Sequence, residues 1–303
     1  MRKTILTLGG SLVGLCLIVI IIGSYVIVAQ TAITGEWRAD STQKKDGKIY
    51  LSFERRTARG GHNQNGSNYD YSDLEGLTRE QVQSGKVNFR LVREAGTIEC
   101  QGTFTDGKGS GTFTFTPNRQ FIDAMKSRGF DFEKSAAKHD GDLDDRLFSA
   151  ATVNVTTKLA DDLLSANFGP LDVEDLFKAA IFHIDSQFMA EMKATGFPDL
   201  RMEDLVKARI FKIDADYVRQ VRDMGFEKEN FEGLVKFRIF KVTPEFLNEL
   251  RSDGFNNLSS EDVVKFRIFH IDSDFIQKAK ASDPNVTVED LVQMKIGVRR
   301  GSK

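Results

Sequence analysis

The sequence predicts an α+β protein with an N-terminal transmembrane helix, a small antiparallel β domain and a C-terminal α-solenoid of two-helix repeats. Three observations carry this. Residues 5–29 are 25 consecutive uncharged, mostly apolar residues. Residues 32–117 hold several runs in which apolar and polar side chains alternate with period two. From Asp145 onward one short motif returns every 29 residues. The implied parts are 1–31, 32–117, a connector at 118–144 and the array at 145–303. With 303 residues, 40 % of them hydrophobic and 24 of them Phe, the chain has enough apolar area for real cores, which excludes a disordered tail protein. A net charge of −2 argues against a strongly basic nucleic-acid binder, and two cysteines exclude a disulfide scaffold.

Arg2 and Lys3 precede the apolar run, and the next charge is Glu36. About 20 residues cross a bilayer core, and a cleaved signal peptide has a shorter apolar stretch, so the run predicts a single-pass anchor. Positive charge before it predicts a cytoplasmic N-terminus and an extracytoplasmic body in the cell membrane. Cleavage near Ala29, giving a secreted protein, is the alternative. Cys100 is then the only cysteine of the exported part, and its place in a strand-like run predicts a buried apolar thiol.

In the β region, Lys48–Phe53, Val87–Leu91, Thr97–Cys100 and Thr112–Thr116 each alternate. Asp106-Gly107 and Lys108-Gly109-Ser110-Gly111 mark turns, so the last three strands read as a continuous antiparallel meander. One apolar face needs a cover, from a second sheet, from closure or from the following helices. Between Arg55 and Tyr71 the chain has almost nothing to bury and reads as a surface loop.

The repeat is anchored by Glu174-Asp175-Leu176-Phe177-Lys178, which returns at 203, 232 and 261 and, one residue early, at Glu289-Asp290-Leu291-Val292. Stepping back by 29 reaches Asp145. Each unit reads as two short helices. The first starts behind caps such as Ser259 or Thr287; the second starts behind Asp185, Asp214, Thr243 or Asp272. The second stops at Gly196, Gly225 or Gly254, each followed by Phe, as a left-handed C-cap requires. Residues 116–130 resemble a degraded second helix, so the array begins directly after the last strand. Because a single 29-residue helix pair cannot bury its own apolar face, stacking is the natural solution. In the first helix, as in Leu234–Val242, apolar residues surround the axis, and a strand reading competes with the helix that the caps favour.

Arg209, Arg238 and Arg267 share one repeat position, and Lys295 is their equivalent in the last unit. Such a ladder either receives acidic partners or forms internal ion pairs with Asp or Glu of the next repeat. Lys207, Lys236 and Lys265, with Lys178, make a second basic row, either an interaction surface or a solvated face. His183 and His270 alternate with Lys212 and Lys241 at a position that reads as surface. His139–Asp145 resembles the start of a calcium loop, but Asp145 stands at its sixth position and Ala151 at its twelfth, so an acidic helix-capping connector fits better. No zinc, nucleophile-elbow, P-loop or Cys-x-x-Cys motif occurs, so neither catalytic residues nor a cofactor or metal is assigned.

The unit Glu-Asp-Leu-Val-Lys-x-Arg-Ile-Phe, ending in Gly-Phe, resembles a bacterial helical repeat found behind antirepressor membrane metallopeptidases related to β-lactam receptors, and in stand-alone exported proteins. Gly35-Glu36-Trp37, Glu94–Ile98 and Gly109–Phe113 look like the β module that accompanies it. The commonest form of that repeat has His-Gly where this chain has Phe-Lys at 211–212 and 240–241. The peptidase half is absent, so the resemblance implies an envelope protein with an interaction or sensing role and transfers no catalytic residue. The resulting expectation is a non-catalytic, membrane-anchored extracytoplasmic interaction or scaffold module with an envelope protein as partner and no nucleic acid. The alternative is a sensor whose β domain binds a small molecule and whose repeats relay the signal.

Overall fold

Seven strands form one antiparallel sheet: β1 (Ile33–Asp40), β2 (Ile49–Arg56), β3 (His62–Tyr69), β4 (Leu74–Glu75), β5 (Ser84–Arg93), β6 (Gly96–Thr105) and β7 (Lys108–Pro117). The structure, a computed structural model, describes residues 33–42, 47–56, 62–138, 142–197 and 199–297. The order β3-β2-β1-β7-β6-β5-β4 joins two runs of consecutive strands, β1 to β3 and β4 to β7, by the antiparallel pairing of β1 with β7. Its two edges, β3 and β4, are joined by Asp70 and one 3-10 turn, so the sheet is curled. The period-two pattern sends Trp37, Leu51, Phe53, Phe89, Cys100, Phe104, Phe113 and Phe115 inside. Burial pushes the Cys100 thiol well above its ordinary pKa. Between β6 and β7, Asp106 (φ +48°) and Gly107 (φ +78°) make the two-residue turn with both φ positive that suits a twisted hairpin. Gly102 and Gly111 face each other across this hairpin. A Cβ on Gly102 would stand 2.5 Å from the Trp37 ring, so the bare backbone makes room for the indole. The indole N–H donates to the Gln101 carbonyl at 3.1 Å.

The helices follow without a break in packing. They are α1 (Arg119–Lys126), α2 (Phe132–Lys138), α3 (Leu143–Thr152), α4 (Thr157–Ser165), α5 (Val173–Phe182), α6 (Ser186–Ala194), α7 (Met202–Phe211), α8 (Ala215–Asp223), α9 (Phe231–Ile239), α10 (Pro244–Ser252), α11 (Ser260–Ile268), α12 (Ser273–Ser282) and α13 (Val288–Lys295). In each unit the odd-numbered first helix leads into the even-numbered second. First helices α5, α7, α9, α11 and α13 pack side by side in chain order, and α4, α6 and α8 form the second layer. The turn inside each unit is built the same way: the N–H groups of Val155, Ile184, Ile213, Val242 and Ile271 donate to the carbonyls five residues back, at 2.8–2.9 Å. This Schellman-type closure needs the residue just before the donor in the left-handed region. Asn154, His183, Lys212, Lys241 and His270 stand there with φ of +50° to +60°. Side chains of Asp185, Asp214, Thr243 and Asp272 accept the N3 backbone N–H of the second helices.

Helix α3 joins sheet and array. It is in phase with the repeats, but it also packs on β3, β6 and β7. Phe148 stacks on Phe113 (5.3 Å, 6° between planes) and meets Phe53 and Phe115 edge-on. Arg55 pairs with Asp145 and lies over the Phe148 ring, and the Tyr69 hydroxyl donates to the Thr152 carbonyl at 2.9 Å. The described residues from Ile33 on belong to one compact unit, so position 117/118 marks a change of secondary structure within one core.

Three expectations are corrected. First, the fold class loses its transmembrane helix: among the described residues no helix is long and apolar enough to cross a membrane. The longest described helices have ten residues, about 15 Å at 1.5 Å per residue, half of a hydrocarbon core of about 30 Å. The expected span, residues 5–29, lies outside the described residues, as does Cys16. Second, the single-pass cell-membrane location with an extracytoplasmic body falls with it. Third, most of the segment expected as a surface loop is strand β3, paired with β2 from Ile49↔Tyr69 to Arg56↔His62. An edge strand is held by its backbone ladder, so it forms with almost no side chain to bury; residues 57–61 lie outside the described residues. In the acidic connector Asp142 caps α3, Asp144 pairs with Arg119 at 2.5 Å and Asp145 with Arg55, while residues 139–141 lie outside the described residues.

Candidate interaction surface

Helices α5, α7, α9 and α11 each present a face on which Glu, Lys and Ile follow at i, i+4 and i+7, as in Glu203, Lys207 and Ile210; in α13 Gln293 replaces the Lys. Side-by-side packing turns these residues into rows along the array.

The arginine row works inside the array. Arg209 lies 3.7 Å above the Phe188 ring, Arg238 3.5 Å above Tyr217 and Arg267 3.6 Å above Phe246; Lys295 lies 4.6 Å above Phe275. Each ring belongs to the second helix of the preceding unit. Arg209 also donates to the His183 carbonyl at 2.6 Å, and Arg238 to that of Lys212 at 2.8 Å. The cation therefore meets the negative end of the previous first helix and an aromatic face together. Among the described residues the arginine ladder thus runs on carbonyls and rings. Burial pushes the Tyr217 phenol up, and Arg238 acts against that shift. At the other end of each unit, Arg222 donates to Thr195 O (2.6 Å), Arg251 to Met224 O (2.9 Å) and Lys280 to Asp253 O.

The lysine row is partly used. Lys178 pairs with Glu203 at 2.6 Å, Lys207 with Glu232, and Lys265 with Glu289 at 3.6 Å. Each also has an Asp one turn earlier: Asp175, Asp204 or Asp262. The bond from Lys178 holds the Glu203 carboxyl below its ordinary range, and the bond to Glu232 holds Lys207 above its own. Lys236 breaks the pattern. Gly233 stands where the other units carry the Asp, and Lys236 reaches no carboxylate within 4 Å. The Glu229 carboxyl stands over Gly233 instead, and between α9 and α11 lies a cleft of about 490 Å³ whose lining includes Glu229, Glu261, Lys236, Lys265, Phe240 and Ile268.

The third row has no internal use. Ile181, Ile210, Ile239, Ile268 and Ile296 are 44–55 % exposed, one per unit. Sequence reasoning missed it, although the signal was present: the apolar residues that surrounded the first-helix axis include one per unit that faces out. Beyond it run the exposed left-handed residues His183, Lys212, Lys241 and His270. Of the six residues named as interaction candidates, Arg209, Arg238 and Arg267 bind the preceding repeat, Lys207 and Lys265 bind the next, and Lys236 alone is unengaged.

A second cleft, also about 490 Å³, lies where β3 approaches the α3 and α5 ends, lined by Lys48, Asn65, Asn68, Tyr69, Arg93 and Asn154 among others. Its charged groups are already paired, Lys48 with Asp70 and Arg93 with Asp73, both at 3.1 Å. Among the described residues no group of His, Cys, Asp and Glu is placed to hold a metal ion. No protein-family model matches the chain, and no curated protein matches its sequence.

Proposed function

We propose that the chain is a non-catalytic interaction module whose first-helix face docks another protein. One observation carries the reading: five isoleucines, one per repeat, stay about half exposed in one row while almost every other repeated apolar position is buried or partly buried. A row of that kind is what an extended repeat surface offers a partner. The polar cleft beside β3 gives less support to a small-molecule sensor, because its ionic groups satisfy one another. The resemblance to an interaction or sensing repeat is compatible with the first reading and adds no residue to it.

The test is site-specific photo-crosslinking of the full chain in its native cell, with the crosslinker at position 210 or 239 and, as control, at the exposed Lys86 of β5. A recurrent adduct at both array positions and absent from the control is expected. Adducts no different from the control refute the reading.

A further inference from the structure

We propose that the isoleucine row is the docking groove for an acidic amphipathic helix, seated across α7, α9 and α11 with its centre over the α9–α11 cleft. The inference rests on the interaction reading and adds the chemistry of the partner.

The apolar part follows from spacing. Equivalent isoleucines on adjacent first helices lie one interaxial distance apart, about 8–10 Å. A helix laid across them presents a residue every seven positions, about 10.5 Å apart. Its intervening apolar residues, three or four positions on, fall between the isoleucines, where the cleft offers Phe240 and Val264. A β-strand repeats one face every 6.6–6.8 Å and fits neither position.

The acidic part follows from charge. On one side of the row, one turn back, stand Lys207, Lys236 and Lys265; on the other, two residues on, stand Lys212, Lys241 and His270. Among the described residues, Lys212, Lys236 and Lys241 have no carboxylate within ion-pair distance. Three unengaged cations thus surround Ile210 and Ile239. The negative end of α7 beneath Lys212 is shielded, because Arg238 donates to the Lys212 carbonyl. Glu203, Glu232, Glu261 and Glu289 share the face about 10 Å from the isoleucines, two helical turns back. Glu261 and Glu229 line the N-terminal end of the cleft, and Phe240 and Ile268 its other end; a narrow acidic helix crossing at the isoleucine end clears the carboxylates, whereas a broad anionic surface such as a membrane would press against them.

The experiment uses the full chain and labelled synthetic helices of about 28 residues, four heptads with Leu at both core positions. One carries Glu at the flanking positions, one carries Lys, and one has the acidic composition scrambled. Fluorescence anisotropy is read for the parent, for Ile210→Asp/Ile239→Asp and for Lys236→Glu/Lys241→Glu. The exposed positions keep the fold, which circular dichroism checks. The acidic helix is expected to bind, to lose at least about tenfold in affinity with either double variant, and to weaken with salt; the charge-reversed variant is expected to prefer the Lys peptide. If the Lys peptide binds the parent equally well and in an isoleucine-dependent way, the acidic chemistry is wrong while the docking face stands. If no peptide binds, or binding ignores the isoleucines, the groove itself is refuted. Sedimentation velocity showing a dimer that Ile210→Asp dissociates makes a second copy the occupant and overturns the proposal. Isoleucine-dependent binding to phosphatidylglycerol vesicles without peptide binding overturns it as well.

Discussion

Glycine at the left-handed positions 183, 212, 241 and 270 is expected to leave the protein more stable than alanine there. At these positions φ lies between +50° and +53°. An L-residue with a Cβ pays about 1–2 kcal/mol there, while glycine gives back about 0.5–1 kcal/mol through its larger unfolded-state entropy. The net gain is about 0.5–1 kcal/mol per site. Lys212 and Lys241 reach no carboxylate, so no ion pair is lost with them. Each does lose a cation at a helix C-terminus, worth about 0.3–1 kcal/mol, which an alanine variant loses equally. Glycine against alanine at the same position therefore isolates the backbone. The sites sit one repeat apart and share no side-chain partner, so the four gains sum to about 2–4 kcal/mol. Thermal unfolding of the quadruple glycine variant, followed by circular dichroism, should rise by several degrees over the quadruple alanine variant, at about 2–4 °C per kcal/mol. A glycine variant that melts below its alanine counterpart refutes the reasoning, because that is how a residue inside a continuous right-handed helix behaves.

Four further outcomes are expected. Arg238→Met should cost about 1–2 kcal/mol in denaturant titration, having lost the Tyr217 face and the Lys212 carbonyl, whereas Lys236→Met should stay within about 0.5 kcal/mol. Phe148→Ala should cost about 3–5 kcal/mol, since its ring meets three aromatic side chains of the sheet. The Lys178–Glu203 pair should add a few tenths to about 1 kcal/mol that is complete above the ordinary glutamate pKa of 4.5 and is lost as pH falls through the lowered folded value; melting followed over acid pH should show a limb that Lys178→Met flattens. In a Cys16→Ser background the Cys100 thiol should resist a thiol reagent until denaturant is added, as burial disfavours the thiolate.

What was legible in the sequence was local or periodic. The caps at Asp185, Asp214, Thr243 and Asp272, the stops at Gly196, Gly225 and Gly254, and the hairpin at Asp106-Gly107 are short-range chemistry, and each stands where its residue type requires. Strand β3 escaped because a polar edge strand carries no hydrophobic pattern; its evidence is the backbone ladder to β2. The arginine ladder was seen as a row but given the wrong kind of partner. Carboxylates looked natural, yet the acceptors are backbone carbonyls, which sequence does not display, and rings about 21 residues earlier on another helix. The role of α3 was hidden for a related reason: its phase is that of a repeat, and only the tertiary fold shows that it also packs on the sheet.

Repetition also supplies a control within one chain. A residue type that returns in every unit is accounted for when it touches its neighbour unit. The buried leucines and valines at 176, 205, 234, 263 and 291 fill the core, three of the lysines tie glutamates of the next helix, and the arginines grip the preceding unit. The isoleucines at 181, 210, 239, 268 and 296 touch water instead. A β-branched residue on an exposed helix position is also a poorer helix former than the Ala, Lys or Glu that solvent would favour. Five such residues in register, each 44–55 % exposed, oppose both local propensity and the hydrophobic effect. The proposed partner helix would offset them, and the unengaged lysines beside Ile210 and Ile239 are why it is proposed to be acidic.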